Sequence, residues 1–201
     1  MGSKTLTPFL RSVNKRASVN ERARRSSGIL IWMKKPAALV KRPPTLDLRA
    51  AQFEDVAAIV RLVGRSIAFA CRDHYDAAQR AAVHATYAGA LFVDAVGPFE
   101  AVAAEVGGRL VGFAQLDPTS GRLRALFVDA DCQGRGVGRA LLGEIEARAA
   151  RRGCARLHGA MALNAVPFYE RAGFHACGGE ERLASTGVAI PIVRMEKILR
   201  A

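Results

Sequence analysis

The sequence predicts a mixed α/β domain over residues 46–201, with a central sheet of about six or seven strands flanked by about four helices. Two observations support this fold class. Short segments with the two-residue alternation of strands are interleaved with longer segments in which apolar residues recur at helical spacing. The strand–helix–strand succession over residues 123–160 further predicts a right-handed crossover between two parallel strands.

The predicted elements follow in the order β-α-α-β-β-β-α-β-α-β-β, after a Pro43 and Pro44 pair that marks the boundary of the domain. The strand-like segments are 46–50, 99–106, 109–116, 123–128, 155–160, 174–176 and 188–197. The helical segments are 52–70, 73–87, 137–151 and 165–172. Gly107 and Gly108 predict a hairpin turn, because glycine tolerates the positive φ that such a turn requires.

The positive charge of the chain is concentrated in its first segment. The 201 residues carry a formal net charge of +12, but residues 1–45 contain eleven of the basic groups and a single acid, Glu21. Residues 46–201 therefore carry only +2. We expect 1–45 to be a basic, disordered extension, and we leave open a solvated tail, a targeting segment or a partner-binding tail. The near-neutral domain predicts no nucleic-acid partner for residues 46–201.

The four cysteines, Cys71, Cys132, Cys154 and Cys177, have neither zinc-ligand nor disulfide-framework spacing. We therefore expect no metal and a reducing, cytoplasmic environment. No apolar run approaches the roughly 18–20 residues that span a bilayer, so no membrane partner is expected.

A glycine-rich segment, DADCQGRGVGR at 129–139, joins the strand at 123–128 to the helix at 137–151. Such a turn binds anions, because the first amides of the helix lack partners and the helix dipole adds positive charge. Arg135 and Arg139 could add charge-assisted contacts. The segment contains no Lys-Ser or Lys-Thr pair, which excludes a phosphate-binding loop that ends in one. The dinucleotide fingerprint G-x-G-x-x-G is also excluded, because its third glycine is missing whether the pattern starts at the first or at the second glycine of the segment. A plain strand-to-helix turn remains the alternative.

What the segment does satisfy is Q-x-x-G-x-G, through Gln133, Gly136 and Gly138. Here the sequence resembles the GNAT superfamily of acetyl-coenzyme A-dependent N-acetyltransferases. The run LFVDADCQGRGVGRALL at 126–142 resembles the pyrophosphate-binding motif of that family, and LNAVPFYERAGF at 163–174 resembles its next motif. The resemblance covers residues 46–199 and implies the fold, the acetyl donor and much of the site.

For the donor, the resemblance implies that the backbone of the loop holds the pyrophosphate of coenzyme A. The residues concerned are Gln133, Gly134, Arg135, Gly136, Val137, Gly138 and Arg139. It also implies that Leu126, Phe127 and Val128 pair with the pantetheine arm, where two central strands splay apart. The amide of Leu126 would then stabilise the charge that develops on the thioester oxygen.

Tyr169 matches the general acid of the family, with Phe168 packed beside it. A phenol can supply the proton that the departing thiolate needs. Asn164 is expected to cap the following helix, with Pro167 in the first turn, and to contact the cofactor.

The general base stays open. Where the histone-directed branch of the family has a glutamate, this sequence has Arg122. The candidates are Glu105, Asp117, His158 or a water chain.

The acceptor is also unidentified. Because alternate residues of a strand point to the same face, Arg122 and Arg124 are expected to share a face with Leu126. If that face lines the acceptor cleft, the two arginines would favour an acceptor with a carboxylate or phosphate. Arg65 and Tyr75 are expected in the acceptor wall.

We therefore expect an N-acetyltransferase that moves the acetyl group of acetyl-coenzyme A to a small-molecule amine by direct attack in a ternary complex. A protein N-terminus or lysine as acceptor is one alternative, and a non-catalytic acyl-coenzyme A-binding module is another. A homodimer is compatible with the sequence.

Overall fold

The structure is a computed structural model and describes residues 45–88, 98–183 and 186–199. The predictions for residues 1–44 lie outside the described residues. The strands are β1 Leu46–Ala50, β2 Glu100–Val106, β3 Arg109–Asp117, β4 Arg122–Val128, β5 Arg156–Ala162, β6 His175–Leu183 and β7 Ala189–Ile198. The helices are α1 Val56–Ala70, α2 Ala77–Ala88, α3 Val137–Arg151 and α4 Val166–Arg171. The predicted element order is confirmed.

The seven strands of the described ranges form one mixed sheet in the order β1-β2-β3-β4-β5-β7-β6. Neighbouring strands are antiparallel except for β4 and β5, which are parallel as the strand–helix–strand pattern predicted. Gly107 and Gly108 join β2 to β3 with φ of 59° and 76°, so the predicted hairpin turn is confirmed.

Helix α2 begins at Ala77, four residues later than the apolar spacing predicted. The reason is a capping box between Asp76 and Gln79. The carboxylate of Asp76 accepts a hydrogen bond from the Gln79 amide (2.8 Å), and the Gln79 side chain accepts one from the Asp76 amide (3.1 Å).

Two hydrophobic cores lie on opposite faces of the sheet. Ile59, Leu62 and Val63 of α1 pack with Phe113 of β3 on one face. Leu141 and Ile145 of α3 pack on the other, within a cluster that also includes Tyr169 of α4 and Met195 of β7. None of the helices in the described ranges is both long and apolar enough to cross a bilayer.

The pairing of β4 with β5 is short. In the described ranges, their register consists of Arg122 opposite His158, and the His158 amide donates to the carbonyl of Gly121 (3.0 Å). At Gly159 the strands are still so close that a Cβ would lie 2.9 Å from the Leu123 carbonyl oxygen. Beyond this point they separate, which leaves one edge of β4 open in the middle of the sheet.

Candidate active site

A cavity of about 840 Å³, including its open mouth, lies where β4 and β5 separate. Helices α1, α2 and α4 and strand β7 complete its walls. Its lining includes Cys71, Tyr75, Tyr87, Leu126, Ala160 and Tyr169. Because the separation of the strands connects both faces of the sheet, Tyr169 belongs to the core beside α3 and still reaches this cavity.

The open edge of β4 directs polar backbone groups into the gap. The Asp129 amide, directly after β4, donates to the carbonyl of Val111 on β3 (2.9 Å). Because backbone groups of successive strand residues point in opposite directions, those of Leu126 and Val128 point away from β3, towards the gap. The Gln133 side chain donates a long hydrogen bond to the Val128 carbonyl (3.5 Å). The amide of Leu126 thus points into the gap, and the thioester contact expected of it stays a prediction.

The glycine-rich segment lies at the end of this gap. Gly134 and Gly136 have φ of 72° and 84°, a region that favours glycine, and a Cβ at either position would meet no atom within 4 Å. Gly136 is the N-cap residue of α3, and no side chain caps that helix end. The first amides of α3 therefore face open space, which fits an anionic ligand such as a pyrophosphate.

Gly138 and Phe168 meet where the segment enters α3. A Cβ added to Gly138 would lie 3.5 Å from the Phe168 ring and from a Val128 methyl group, which is ordinary contact. Arg135 and Arg139 are exposed, and neither forms an ion pair within the described part of the chain. Both guanidinium groups are available to a bound phosphate.

Tyr169 is buried, with 4% of its surface exposed, and its ring packs edge-to-face on Phe168 and Phe174 at centroid distances of 5.0 and 5.3 Å. Its hydroxyl forms no hydrogen bond within the described residues. Burial, together with the nearby phenol of Tyr87, raises the pKa of Tyr169 well above its ordinary value. The side chain thus presents a protonated phenol to the cavity at neutral pH.

A family model for the acetyltransferase (GNAT) domain matches residues 77–199, more than half of the chain. This chain belongs to the GNAT acetyltransferase family. No curated protein sequence matches it.

Solved structures show the same fold. A GCN5-related N-acetyltransferase from Rhodopseudomonas palustris is 27% identical, with a TM-score of 0.71 over 79% of this chain and 98% of that one. The PaiA N-acetyltransferase from Thermoplasma acidophilum, in complex with coenzyme A, is 17% identical, with a TM-score of 0.63 over 77% and 99% of the two chains. YncA from Salmonella typhimurium, with acetyl-coenzyme A, is 19% identical, with a TM-score of 0.53 over 78% and 95%.

In this GNAT domain, a buried carboxylate anchors the start of the glycine-rich segment. Asp129 is fully buried and accepts hydrogen bonds from Arg65 of α1 (2.5 Å) and from the Asp131 amide (3.2 Å), with Arg109 at 3.8 Å. Burial alone would raise the pKa of Asp129, but these hydrogen bonds and the two arginine charges together lower it. Arg65, which we predicted in the acceptor wall, instead joins α1 to this segment.

Asp129 was not among the predicted site residues. Its position directly after β4, ahead of the glycines, is a signal in the sequence. Its partners are not, because Arg65 lies 64 residues away.

Tyr75 lines the cavity, but its hydroxyl is already engaged. It donates to the carbonyl of Pro191 (2.7 Å) and accepts from the amide of Leu163 (2.9 Å). Tyr75 therefore holds the turn before α4 against β7, and its ring, not its hydroxyl, is left to line the cavity.

The capping role predicted for Asn164 is wrong. A short 3-10 turn, Leu163–Ala165, precedes α4, so the N-cap position falls on Ala165 and no side chain caps the helix. Asn164 lies within this turn and accepts a weak hydrogen bond from the Cys71 thiol (3.5 Å). Its side chain thereby links α4 to α1 beside the cavity.

The candidate bases differ in position. Glu105 lies on β2 with β3 between it and β4, and it is held by Arg49 (3.0 Å). Hydrogen bonds from the side chains and amides of Thr119 and Ser120 lower the pKa of Asp117 to about 2, which makes it a poor base. His158 lies near the cavity, with Nε2 3.1 Å from the Ser120 carbonyl oxygen.

Of the two arginines predicted to face the acceptor side with Leu126, Arg124 lines the cavity beside Leu126, whereas Arg122 is not among the described residues that line it. Leu123 pairs with Leu116 and Ala125 with Gln115, so Arg124 is an extra residue that forms a β-bulge. Simple alternation therefore fails across it. The Arg124 guanidinium stacks 4.1 Å from the Phe99 ring centroid and donates to Gln115 (3.2 Å).

Proposed function

We propose that this GNAT domain is an N-acetyltransferase that transfers the acetyl group of acetyl-coenzyme A to a primary amine in a ternary complex. One observation carries the proposal. The gap between β4 and β5 has an uncapped, glycine-rich helix start at one end and a buried, unbonded phenol, Tyr169, in its wall. A module that only bound acyl-coenzyme A would have no use for a proton donor at that place.

The chain supplies the donor site through backbone groups. The amides at 133–139 and the start of α3 bind the pyrophosphate, with Arg135 and Arg139 adding charge. The open edge of β4 binds the pantetheine arm as a further strand would. The thioester supplies an activated acetyl group, and the Leu126 amide stabilises the negative charge that develops on its oxygen. An amide aimed in this way contributes about 2.7–4 kcal/mol to the transition state.

The amine nitrogen attacks the thioester carbon, the carbon–nitrogen bond forms, and the carbon–sulfur bond breaks. Tyr169 donates its proton to the departing sulfur, which leaves as a thiol, and the proton lost by the amine restores the phenol through solvent. A buried phenol with a raised pKa is still suitable for this role. The raised pKa keeps Tyr169 protonated, which is the form that can donate a proton to the departing sulfur.

The described residues place no carboxylate and no histidine in the cavity wall. We propose that the amine loses its proton to water before attack, or to His158 through water. His158 lies two strand residues from Ala160, which corresponds to roughly 7 Å. The expected consequence is a rate that rises with pH until the free amine predominates.

The test is release of free thiol from acetyl-coenzyme A in the presence of a panel of amines, with wild type and Tyr169→Phe compared. Calorimetric binding of coenzyme A is measured in parallel. We expect amine-dependent thiol release by wild type, a large fall in kcat for the variant, and equal coenzyme A affinity. Tight binding of coenzyme A without turnover on any small amine or on peptides with free N-termini or lysines would indicate a binding module instead.

A further inference from the structure

The cavity between β4 and β5 has two halves that belong to different cores. On the face of the sheet that carries α3, its lining includes Leu126, Met161 and Tyr169. On the opposite face, its lining belongs to the core beneath α1. We name this set the apolar half: Ile67 of α1, Val83 and Tyr87 of α2, Phe127 of β4, and Ile190 and Ile192 of β7.

The polar side chains around the apolar half already have partners within the protein. The Thr86 hydroxyl donates to the carbonyl of Ala82 in the preceding turn of α2 (2.9 Å). The Cys71 thiol donates to Asn164 (3.5 Å), and the Tyr75 hydroxyl is bonded at both its proton and its oxygen. These residues therefore leave mainly hydrocarbon and ring surface to a ligand.

Arg124 is the one charged residue of the cavity lining among the residues that the structure describes. Its carbonyl accepts a hydrogen bond from the Tyr87 hydroxyl (3.3 Å). Its guanidinium extends across β3, where it stacks on the Phe99 ring and donates to Gln115. Because β3 lies on the opposite side of β4 from β5, this charge points away from the gap.

Such a surface discriminates between the bodies of different acceptors. A second charged group on an acceptor would lose its water here and would gain no partner of opposite charge. Apolar atoms gain from the same transfer, by about fourfold in affinity for each fully buried methylene group. The rings of Tyr87 and Phe127 pack edge-to-face with centroids 4.9 Å apart, and they give an alkyl chain or an aromatic ring a wall to pack on.

We infer that the acceptor is a primary monoamine with an uncharged, apolar body, which occupies the apolar half and directs its amine at the gap. This inference rests on the proposed acetyl transfer. The donor arm reaches the gap from the glycine-rich segment along Leu126, which leaves the opposite face of the sheet to the acceptor. The inferred acceptor differs from the carboxylate- or phosphate-bearing amine that Arg122 and Arg124 suggested from the sequence alone.

Three acceptors of similar length test the inference on the full chain: hexylamine, hexamethylenediamine and ε-aminocaproate. Their far ends are a methyl group, an ammonium and a carboxylate. We expect kcat/KM for hexylamine to be at least tenfold above that for either charged acceptor, and shortening hexylamine to butylamine to lower it about tenfold. A kcat/KM for the diamine or the amino acid that equals or exceeds that for hexylamine would overturn the inference and leave the acetyltransferase proposal intact.

A pair of variants then locates the discrimination. Thr86→Glu adds a carboxylate to the cavity wall, and Ala85→Glu adds the same charge one residue away at an exposed position of α2 outside the lining. Thr86→Glu should raise the ratio of kcat/KM for hexamethylenediamine to that for hexylamine at least tenfold, because the second ammonium gains a partner. Ala85→Glu should leave this ratio within twofold of wild type. An equal shift in both variants would contradict recognition in the apolar half.

Val83→Thr tests the same surface without adding a charge, and it keeps the shape of the side chain. It should lower kcat/KM for hexylamine about threefold or more and leave coenzyme A affinity unchanged, because the acceptor must then cover a hydroxyl. Val106→Thr, the same substitution at a partly buried residue of β2 outside the cavity, is its control and should change neither value. An unchanged kcat/KM in Val83→Thr would refute the inferred contact.

If no amine is acetylated, the proposed function fails, and the apolar half is tested by binding alone. N-phenylnaphthylamine, an uncharged dye whose emission rises in apolar surroundings, is bound to the coenzyme A complex and displaced with hexylamine or hexamethylenediamine. Displacement by hexylamine alone, weakened by Thr86→Glu and not by Ala85→Glu, supports the apolar half as a site for such amines. Absence of displacement, or equal displacement by the diamine, overturns it.

Discussion

Replacing Gly138 with alanine should change stability and donor binding in opposite directions. Gly138 is the second residue of α3, and a Cβ there would sit 3.5 Å from Phe168 and Val128 without displacing either. Alanine inside a helix is more favourable than glycine by roughly 0.5–1 kcal/mol, and less near a terminus. Because about 1 kcal/mol corresponds to about 2–4 °C for a domain of this size, we expect Tm to rise by about 1–3 °C.

Donor binding should weaken in the same variant. In the proposed donor site, a phosphate approaches the first amides of α3, and the added Cβ would crowd that approach. Losing one hydrogen bond to a charged group costs about 1.5–3 kcal/mol, which corresponds to an increase in Kd of roughly 10- to 150-fold. Thermal melts followed by circular dichroism give the stability, and calorimetry with coenzyme A gives the affinity.

Gly143→Ala is the matched control, because Gly143 is an exposed residue of α3 and a Cβ added there would meet no atom within 4 Å. It should raise Tm by a similar amount and leave coenzyme A affinity unchanged. A Kd for Gly138→Ala within twofold of wild type would refute the close approach of the phosphate at that residue. A fall in Tm of several degrees would refute the packing on which the expected rise depends.

Four further substitutions concern buried groups around the site. Tyr169→Phe should lower kcat about 10²- to 10⁴-fold with little change in stability. Tyr75→Phe should lower the free energy of unfolding by about 1–3 kcal/mol, because it leaves two backbone groups without a partner. Asp129→Ala should destabilise more at pH 7 than at pH 3. The lowered pKa of Asp129 makes its contribution complete above about pH 3.9, and that contribution is lost as pH falls through the native value. Gly112→Ala should destabilise by about 1–3 kcal/mol, since its Cβ would lie 2.7 Å from a methyl group of Leu141.

Each of these predictions has an outcome that contradicts it. For Tyr169→Phe, it is an unchanged kcat with an amine that wild type acetylates. For Asp129→Ala, it is an equal loss of unfolding free energy in urea at pH 7 and pH 3. For Gly112→Ala, a Tm equal to that of wild type would show that α3 shifts without cost.

The parts of the site that could be predicted from sequence are those encoded by consecutive residues. The segment from Gln133 to Gly138 depends on local backbone freedom, so its pattern is readable without knowing the fold. Tyr169 follows Asn164 and Pro167 on a short run whose spacing carries the resemblance. The element order was predictable for the same reason, since helical and strand periodicities are local properties.

Other features depend on how distant segments pair, and these were missed. The β-bulge at Arg124 reverses the alternation of β4, and it is defined by the register with β3. Arg122, Arg156 and Arg194 lie on three different strands, and only the pairing of those strands places them around one concave surface. The Asn164 prediction failed because a 3-10 turn precedes α4, which local spacing did not distinguish from the first turn of the helix.

The short pairing of β4 with β5 supports the proposal that a ligand binds within this sheet. Antiparallel pairing with β3 uses the backbone groups of alternate β4 residues. The groups of Leu126 and Val128 are directed into the gap, where the Val128 carbonyl accepts a long hydrogen bond from the Gln133 side chain (3.5 Å). Backbone groups left without a partner in a half-buried edge cost free energy unless water or a ligand satisfies them. A bound extended amide chain such as pantetheine would supply those partners and close the sheet. Binding of coenzyme A should therefore raise Tm by more than its contacts with the glycine-rich segment alone would. A fragment of coenzyme A that lacks the pantetheine arm should raise Tm much less.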